Sequence, residues 1–236
     1  MKRRLLDPLM IRAHIVNIDQ LTPRMRLLRL GGQALQGLRW TPGQHVRVQV
    51  AGLAGPLDWL TGLRRTYSIW DYDGTTLELC IFDHGDGPGA HWARTLRTGD
   101  DVLLSRPQGD FTLRPATHHL FVGEETASVA FGAMLRALPT TEDARAIIEV
   151  DSDDDELPLP GRVHWHYRHG TPAASSTSLL EAVRRLEIPD QPGMAYLAGE
   201  ARTIQATLRH LVTDRGWPRR NVLTKPFWTP GKTGME

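Results

Sequence analysis

Between Ile11 and Asp19 apolar and polar positions alternate loosely, and the stretch is rich in β-branched residues. That period-two pattern predicts a strand with one face on a core and the other in water. It returns from Met25 to Leu30, and most cleanly in Val46-Arg47-Val48-Gln49-Val50, inside a strand predicted from His45 to Val50. Gly31-Gly32 and Thr41-Pro42-Gly43 mark turns between these runs. The segment from Ala51 to Leu63 carries Gly, Pro and Asp and reads as a loop. Thr66 to Asp71 and Leu77 to Phe82 flank Asp73-Gly74, a tight-hairpin signature. A short helix follows from Gly89 to Leu96, and Val102 to Ser105 and Asp110 to Leu113 add two short strands. Six or seven short strands with one helix predict a closed antiparallel barrel.

Near Pro115 the pattern changes. Leu120-Phe121-Val122-Gly123 is a continuous apolar run, and a helical period follows from Thr126 to Leu138. Strands are predicted at Ala146 to Val150, Arg162 to Tyr167, Ala195 to Ala198 and Asn221 to Thr224, and helices at Ser178 to Leu186 and Ala201 to Asp214. Apolar strands alternating with amphipathic helices predict an α/β domain with a parallel sheet. With the boundary at Arg114 to Thr117, residues 1–115 form the barrel domain and 116–236 the α/β domain with its C-terminal tail. The acidic run from Asp151 to Glu156 reads as a solvated loop.

Composition narrows the functions available. The net charge of +1 gives no field that favours nucleic acid or an anionic membrane. Cys80 is the only cysteine, so neither an internal disulfide nor a four-thiolate iron–sulfur or zinc site can be built. The N-terminal Met1-Lys2-Arg3-Arg4 begins like a secretory signal, but Asp7, Pro8, Arg12 and His14 break the apolar core such a signal needs. No apolar run is long enough to span a bilayer. The expected setting is the cytoplasm, without stable membrane insertion. His164, His166 and His169 lack a carboxylate at ligand spacing, so no metal site is expected. The serines occupy no nucleophile-elbow context.

The chemistry concentrates between Arg65 and Ala93. In Arg65-Thr66-Tyr67-Ser68, strand alternation puts Arg65 and Tyr67 on one face and Thr66 and Ser68 on the other. Arg65 can fork onto a phosphate, Tyr67 can cover a ring, and Ser68 can meet a ring nitrogen. His84-Gly85-Asp86-Gly87-Pro88-Gly89-Ala90 then enters a helix whose unpaired N–H groups suit an anion. His84 could donate to a phosphate oxygen or to a ribose hydroxyl, and Trp92 is either core or a ligand contact. A cation, an aromatic ring beside a hydroxyl and a Gly-rich helix start are what a flavin dinucleotide requires.

These motifs resemble the siderophore-interacting protein family, the flavin-dependent ferric-siderophore reductases of the ferredoxin–NADP reductase superfamily. The resemblance rests on Arg65-Thr66-Tyr67-Ser68, His84-Gly85, Gly87-Pro88-Gly89-Ala90, Trp92-Ala93, Arg106-Pro107-Gln108-Gly109, Val122-Gly123-Glu124-Glu125-Thr126-Ala127, Ala198-Gly199-Glu200-Ala201, Phe227-Trp228 and Gly231-Lys232, in family order. It implies FAD in the barrel, NADH or NADPH as donor on the second domain with a ferredoxin as the alternative, and a ferric siderophore as acceptor. The candidate cofactor contacts are Arg65, Thr66, Tyr67, Ser68, Asp83, His84, Gly85, Gly89, Ala90, Trp92, Ala93 and Thr126. Tyr67 and Ser68 shape the flavin ring site, where the chemistry occurs. Arg64, Lys225, Trp228 and Lys232 are the candidate substrate contacts, chosen partly because Lys2, Lys225 and Lys232 are the only lysines.

The chain departs from the family in two places. Gly123-Glu124-Glu125-Thr126 stands where Gly-Asp-Glu-Thr is common, and Phe227-Trp228-Thr229 replaces an ending in Tyr-Trp-Arg. There is no G-x-G-x-x-G, so the usual dinucleotide fingerprint is missing, but Thr126 could cap the helix after Gly123. The acidic loop after Val150 would repel a 2′-phosphate, which favours NADH, while Arg162, Arg168 and Arg202 could reach the same end. The competing readings are a flavin or ferredoxin-type reductase with another acceptor, and a non-catalytic siderophore-binding protein for iron delivery.

Overall fold

The computed structural model of the chain describes residues 10–50, 64–85, 87–189 and 191–232. The readings of residues 1–8, of the loop 51–63 and of Asp86 lie outside them. The chain divides into two compact units, the first ending at Asp110 and the second starting at Phe111.

The first unit holds β1 (Met10–Thr22), β2 (Met25–Gly31), β3 (His45–Gln49), β4 (Arg64–Tyr72), β5 (Leu77–Phe82), α1 (Pro88–Thr95) and β6 (Asp101–Ser105). The strands close into a barrel in the order β1-β2-β5-β4-β3-β6, and β6 pairs back onto β1. The inward residues of the alternating pattern, among them Ile15, Leu28, Leu30, Val46, Val48, Ile69, Leu79 and Leu104, are buried together. Closure explains one difference from the sequence reading. Asp110 to Leu113 is not a strand, because β6 already pairs with β1 and β3 and the barrel offers no free edge. Phe111 instead packs edge-on against Tyr196 in the core of the second unit, with ring centres 6.1 Å apart.

The second unit runs β7 (His118–Glu124), α2 (Glu125–Ala137), β8 (Asp143–Val150), β9 (Arg162–Tyr167), α3 (Thr177–Arg185), β10 (Met194–Glu200), α4 (Ala201–Arg209) and β11 (Val222–Trp228). Its strands form a parallel sheet in the order β11-β10-β7-β8-β9. Every residue of β7 and β10 is buried, as expected of central strands covered on both faces. One face packs on α2 through Phe121, Phe131 and Tyr196, the other on α3 and α4 through Leu179, Val183 and Ile204. No helix among the described residues is long and apolar enough to cross a membrane.

Other differences from the sequence reading lie in the second unit. β11 continues to Trp228 although Pro226 interrupts the pattern; β11 has a single neighbour, so Pro226 loses no bond on its open side. Lys225 and Trp228 therefore sit on a strand rather than in a tail. The helix from Ala201 passes into a π-helical turn at His210–Asp214. The acidic run is only partly solvated. Asp155 is buried in a short 3-10 turn, and Asp151 accepts the Gly170 N–H at 2.7 Å.

Candidate functional site

In the first unit β4 pairs with β3, which sets Tyr67 opposite Val46 and Ser68 opposite His45. Arg64 and Thr66 are exposed, while Arg65, Tyr67 and Ser68 are half-buried. The start of α1 lies against Arg65 and Tyr67. A Cβ built on Gly89 would come within 2.8 Å of the Tyr67 hydroxyl oxygen and 3.4 Å of Arg65 Cγ. Only a residue without a side chain brings the helix this close. Trp92, one turn on, stacks against Tyr67 at 5.9 Å between ring centres and 23° between planes. It also packs on the barrel core, so it supports the Tyr67 ring from behind. Arg65, Tyr67, Gly89 and Trp92 are thus brought together.

The electrostatics of this cradle favour an anion. The Arg65 guanidinium donates to the Arg64 carbonyl at 3.0 Å, and no carboxylate pairs with it among the described residues. Gly87 precedes α1, Pro88 is its first residue, and among the described residues no side chain caps it. The first-turn N–H groups are therefore left to a ligand or to water. Burial pushes the Tyr67 phenol well above its ordinary range, with the Arg65 charge pulling the other way. Tyr67 stays protonated near neutral pH and is no base.

The structure gives the other predicted contacts different surroundings. The Asp83 carboxylate is held by Arg94, at 2.9 Å to Nε and 2.6 Å to Nη2, and Arg94 also donates to the Gly85 carbonyl at 2.8 Å. These bonds tie the turn after β5 to α1. His84 is exposed and stacks on Phe82 at 5.3 Å. The side chains of Ala90 and Ala93 are buried, so only their backbone is open to a ligand, and the Ala93 carbonyl accepts Arg26. An Arg65 with no carboxylate partner and a helix start with no cap, both among the described residues, fit the phosphates of FAD, and the cradle at Gly89 fits its ring.

In the second unit the chain runs from β7 outward to β8 and β9, then crosses back to β10 on the other side of β7. Open α/β sheets bind ligands outside the carboxyl ends of the two strands at such a crossing point. Here those ends are Gly123-Glu124 and Gly199-Glu200, and both glutamates are buried. Glu124, not Thr126, caps α2. Its Oε2 accepts the Thr126 N–H at 2.9 Å, and its Oε1 accepts the Thr126 hydroxyl and the Trp228 indole N–H, the latter at 2.9 Å. Trp228, read from sequence as a substrate contact, thus spends its one polar group on Glu124. Glu200 caps α4 in the same way, accepting from the N–H groups of Arg202, Thr203 and Ser175 and from the Thr203 hydroxyl.

Two more carboxylates surround this edge. Glu125 is buried against Arg168, whose Nη1 donates to its Oε2 at 2.5 Å. Glu149 is fully buried; its Oε1 accepts the hydroxyls of Ser176 and Ser178, and its Oε2 has no hydrogen-bond partner among the described residues. Burial and then the charge of Glu125 push Glu124 up to about 7, against the hydrogen bonds it receives. Burial would raise Glu200 as well, but its N–H donors win and hold it below the carboxylate range. Lys225 is half-buried on β11, and Lys232 is exposed in the turn that follows. Sequence reasoning passed over Glu124, Glu200 and Glu149. The available signal was the repeated Gly-Glu at the end of an apolar strand.

Comparison with known proteins adds to this geometry. A family model described as the siderophore-interacting FAD-binding domain matches residues 14–111, and one described as siderophore-interacting protein matches residues 116–231. The ferric vibriobactin reductase ViuB of Vibrio cholerae is 28% identical over 176 residues, which cover 71% of this chain and 65% of that protein. An uncharacterized Mycobacterium tuberculosis protein is 32% identical over 187 residues, 72% of this chain and 66% of its own length. Both matches thus span about two thirds of the relative. The crystal structure of a siderophore utilization protein from T. fusca superposes with a TM-score of 0.80 at 25% identity, covering 96% of this chain and 95% of that one.

Proposed function

Because the chain belongs to the siderophore-interacting protein family, we propose that it is an FAD-dependent reductase that passes electrons to siderophore-bound Fe(III). The observation that carries this reading is the cradle of Arg65, Tyr67, Gly89 and Trp92 beside the uncapped start of α1. The name of the Vibrio relative supports the choice of acceptor. NADH or NADPH is the proposed donor, with a ferredoxin as the alternative.

Arg65 would fork onto the FAD diphosphate, and the first-turn N–H groups of α1 at Gly89 and Ala90 would complete its binding. Tyr67 would lie on the flavin ring as a neutral phenol, braced by Trp92, and Ser68 would meet the ring edge. FAD, when bound, supplies the conversion of a two-electron donor into single electrons for iron. Electron delivery needs no general acid or base, so the protein's contribution is orientation and charge. Arg64, Lys225 and Lys232 are the proposed attractors of an anionic ferric siderophore. Reduction to Fe(II) weakens the grip of hard oxygen donors and lets the metal leave.

The test is anaerobic. Purified protein is reconstituted with FAD and mixed with NADH or NADPH while flavin absorbance is followed; ferric siderophore and a ferrous trap are then added. The expected result is bleaching, then flavin reoxidation with formation of the ferrous complex. Protein that cannot be reconstituted with FAD overturns the reading. Reduced flavin that ignores ferric siderophore points to a different acceptor.

A further inference from the structure

The crossing point between β7 and β10 is where a dinucleotide donor would rest its diphosphate on helix N–H groups. In this chain that place is already filled from within. The N–H of Thr126 at the start of α2 and those of Arg202 and Thr203 at the start of α4 all donate to the chain's own carboxyl groups. A cavity of about 10 Å³ lined by Gly123, Glu124, Ala198, Glu200, Leu179 and Ile204 has room for one water. Gly199 shows how tightly Glu124 is seated. Its φ of +124° is open to glycine, and a Cβ there would stand 2.5 Å from Glu124 Oε1. Trp228 holds that same oxygen from β11. Charge adds to the obstruction. Glu124, Glu125, Glu149 and Glu200 are all buried at this edge, and Arg168, the cation buried beside them, is engaged by Glu125.

We propose that Glu124 is a specificity-determining residue that keeps a dinucleotide's diphosphate off the start of α2, with Trp228 as its positioning residue. This rests on the reading that a nicotinamide dinucleotide is a donor, and it makes that donor a weakly held one in the natural chain. A donor that brings no diphosphate to the crevice, such as a reduced ferredoxin, meets no such obstruction.

The test uses ADP-ribose, which carries the diphosphate and adenosine of the donor but no redox group, so its outcome is independent of whether the protein reduces anything. FAD-loaded protein is titrated calorimetrically with ADP-ribose in the natural form and in Glu124→Ala, which removes the carboxylate and, having no side-chain acceptor, frees the Thr126 N–H. The expected result is binding tighter by about ten-fold or more in the variant. Equal or weaker binding by a folded Glu124→Ala, judged by its circular dichroism, overturns the proposal. Should that variant not fold, the natural protein decides. In 15N spectra, added ADP-ribose should leave the Thr126 and Thr203 amide signals in place, and a saturating shift at either overturns the proposal. Trp228→Phe, which leaves Glu124 Oε1 only the Thr126 hydroxyl, should tighten ADP-ribose binding by a smaller factor; weaker binding there counts against the positioning role.

Discussion

Replacing Gly89 by Ala should weaken FAD binding with little change in protein stability. The built Cβ stands 2.8 Å from the Tyr67 hydroxyl oxygen, and about half an ångström must be found to reach ordinary carbon–oxygen contact. The Tyr67 ring cannot tilt freely, because Trp92 is stacked on it. Relief must come from shifting Tyr67, Arg65 or the whole first turn of α1, and each of these is a proposed FAD contact. A displaced charge-assisted bond is worth roughly 1.5–3 kcal/mol, so FAD binding should weaken about 10- to 100-fold. Gly89 has no left-handed backbone and sits inside a helix, where Ala is better than Gly by up to roughly 1 kcal/mol. That preference offsets part of the strain, which is present without FAD as well, so the apoprotein should melt at about the same temperature or slightly lower. Quenching of FAD fluorescence on titration into apoprotein gives the affinity, and calorimetric melting of the apoprotein gives the stability. Undiminished FAD affinity in Gly89→Ala would refute the cradle, and a large loss of apoprotein stability would mean that the contact is merely structural packing.

Three further predictions follow from named contacts. Arg65→Ala should weaken FAD about 10- to 100-fold, with Arg65→Lys recovering only part because an ammonium cannot fork, as read by the same titration. Glu124 has a folded value of about 7 against 4.5 in the unfolded chain. The folded state therefore holds its proton more tightly, and the stability this gives is present below pH 4.5 and lost as the pH rises through 7. The loss is at most about 3 kcal/mol, and in urea unfolding from pH 5 to 8 Glu124→Gln should show a shallower decline than the natural chain. Arg168→Met strands the Glu125 carboxylate without its cation and should cost about 3–5 kcal/mol in urea unfolding. The double variant with Glu125→Gln should regain part of it, and equal losses in both would remove the ion pair from the account.

The strands of the barrel were legible because one face of each is wet, so apolar and polar residues alternate. Those of the second unit were legible as continuous apolar runs, because both faces are covered. What sequence could not give was set by tertiary contact. The absence of a strand at Asp110 to Leu113 depends on the barrel having closed elsewhere, and the extension of β11 through Pro226 depends on which side of that strand is open. In the site, Arg65, Tyr67, Gly89 and Trp92 lie near one another in sequence, and strand period plus helix start were enough to group them. Asp83 carries the same charge as a ligand contact would, yet its partner is Arg94 of its own turn, which no spacing rule foretells. Thr126 illustrates the same limit. Thr is a good capping residue by type, but the cap depends on which oxygen reaches the first N–H groups, and Glu124, two residues earlier, reaches them.

The capping residues carry the functional argument further than the helices themselves. A helix start attracts an anion only while its N–H groups and dipole are uncommitted. Among the described residues α2, α3 and α4 are each capped by a side chain, Glu124, Ser176 and Glu200, and α1 is not. Two of these caps are carboxylates, which satisfy the N–H groups and also neutralise the positive end of the helix, so a phosphate would meet occupied donors and a like charge. The uncapped helix is the one that has Arg65 and a glycine cradle beside it. On the proposed reading, a side chain at one position per helix directs an anionic ligand to α1 and away from α2 and α4, although the sheet crossing between β7 and β10 would by topology alone be the place to look. Exchanging the caps is therefore a sharper probe of nucleotide choice than removing cations. Freeing α2 with Glu124→Ala should open a phosphate site, whereas Gly87→Asp should close the one on α1 and lower FAD affinity with α1 intact.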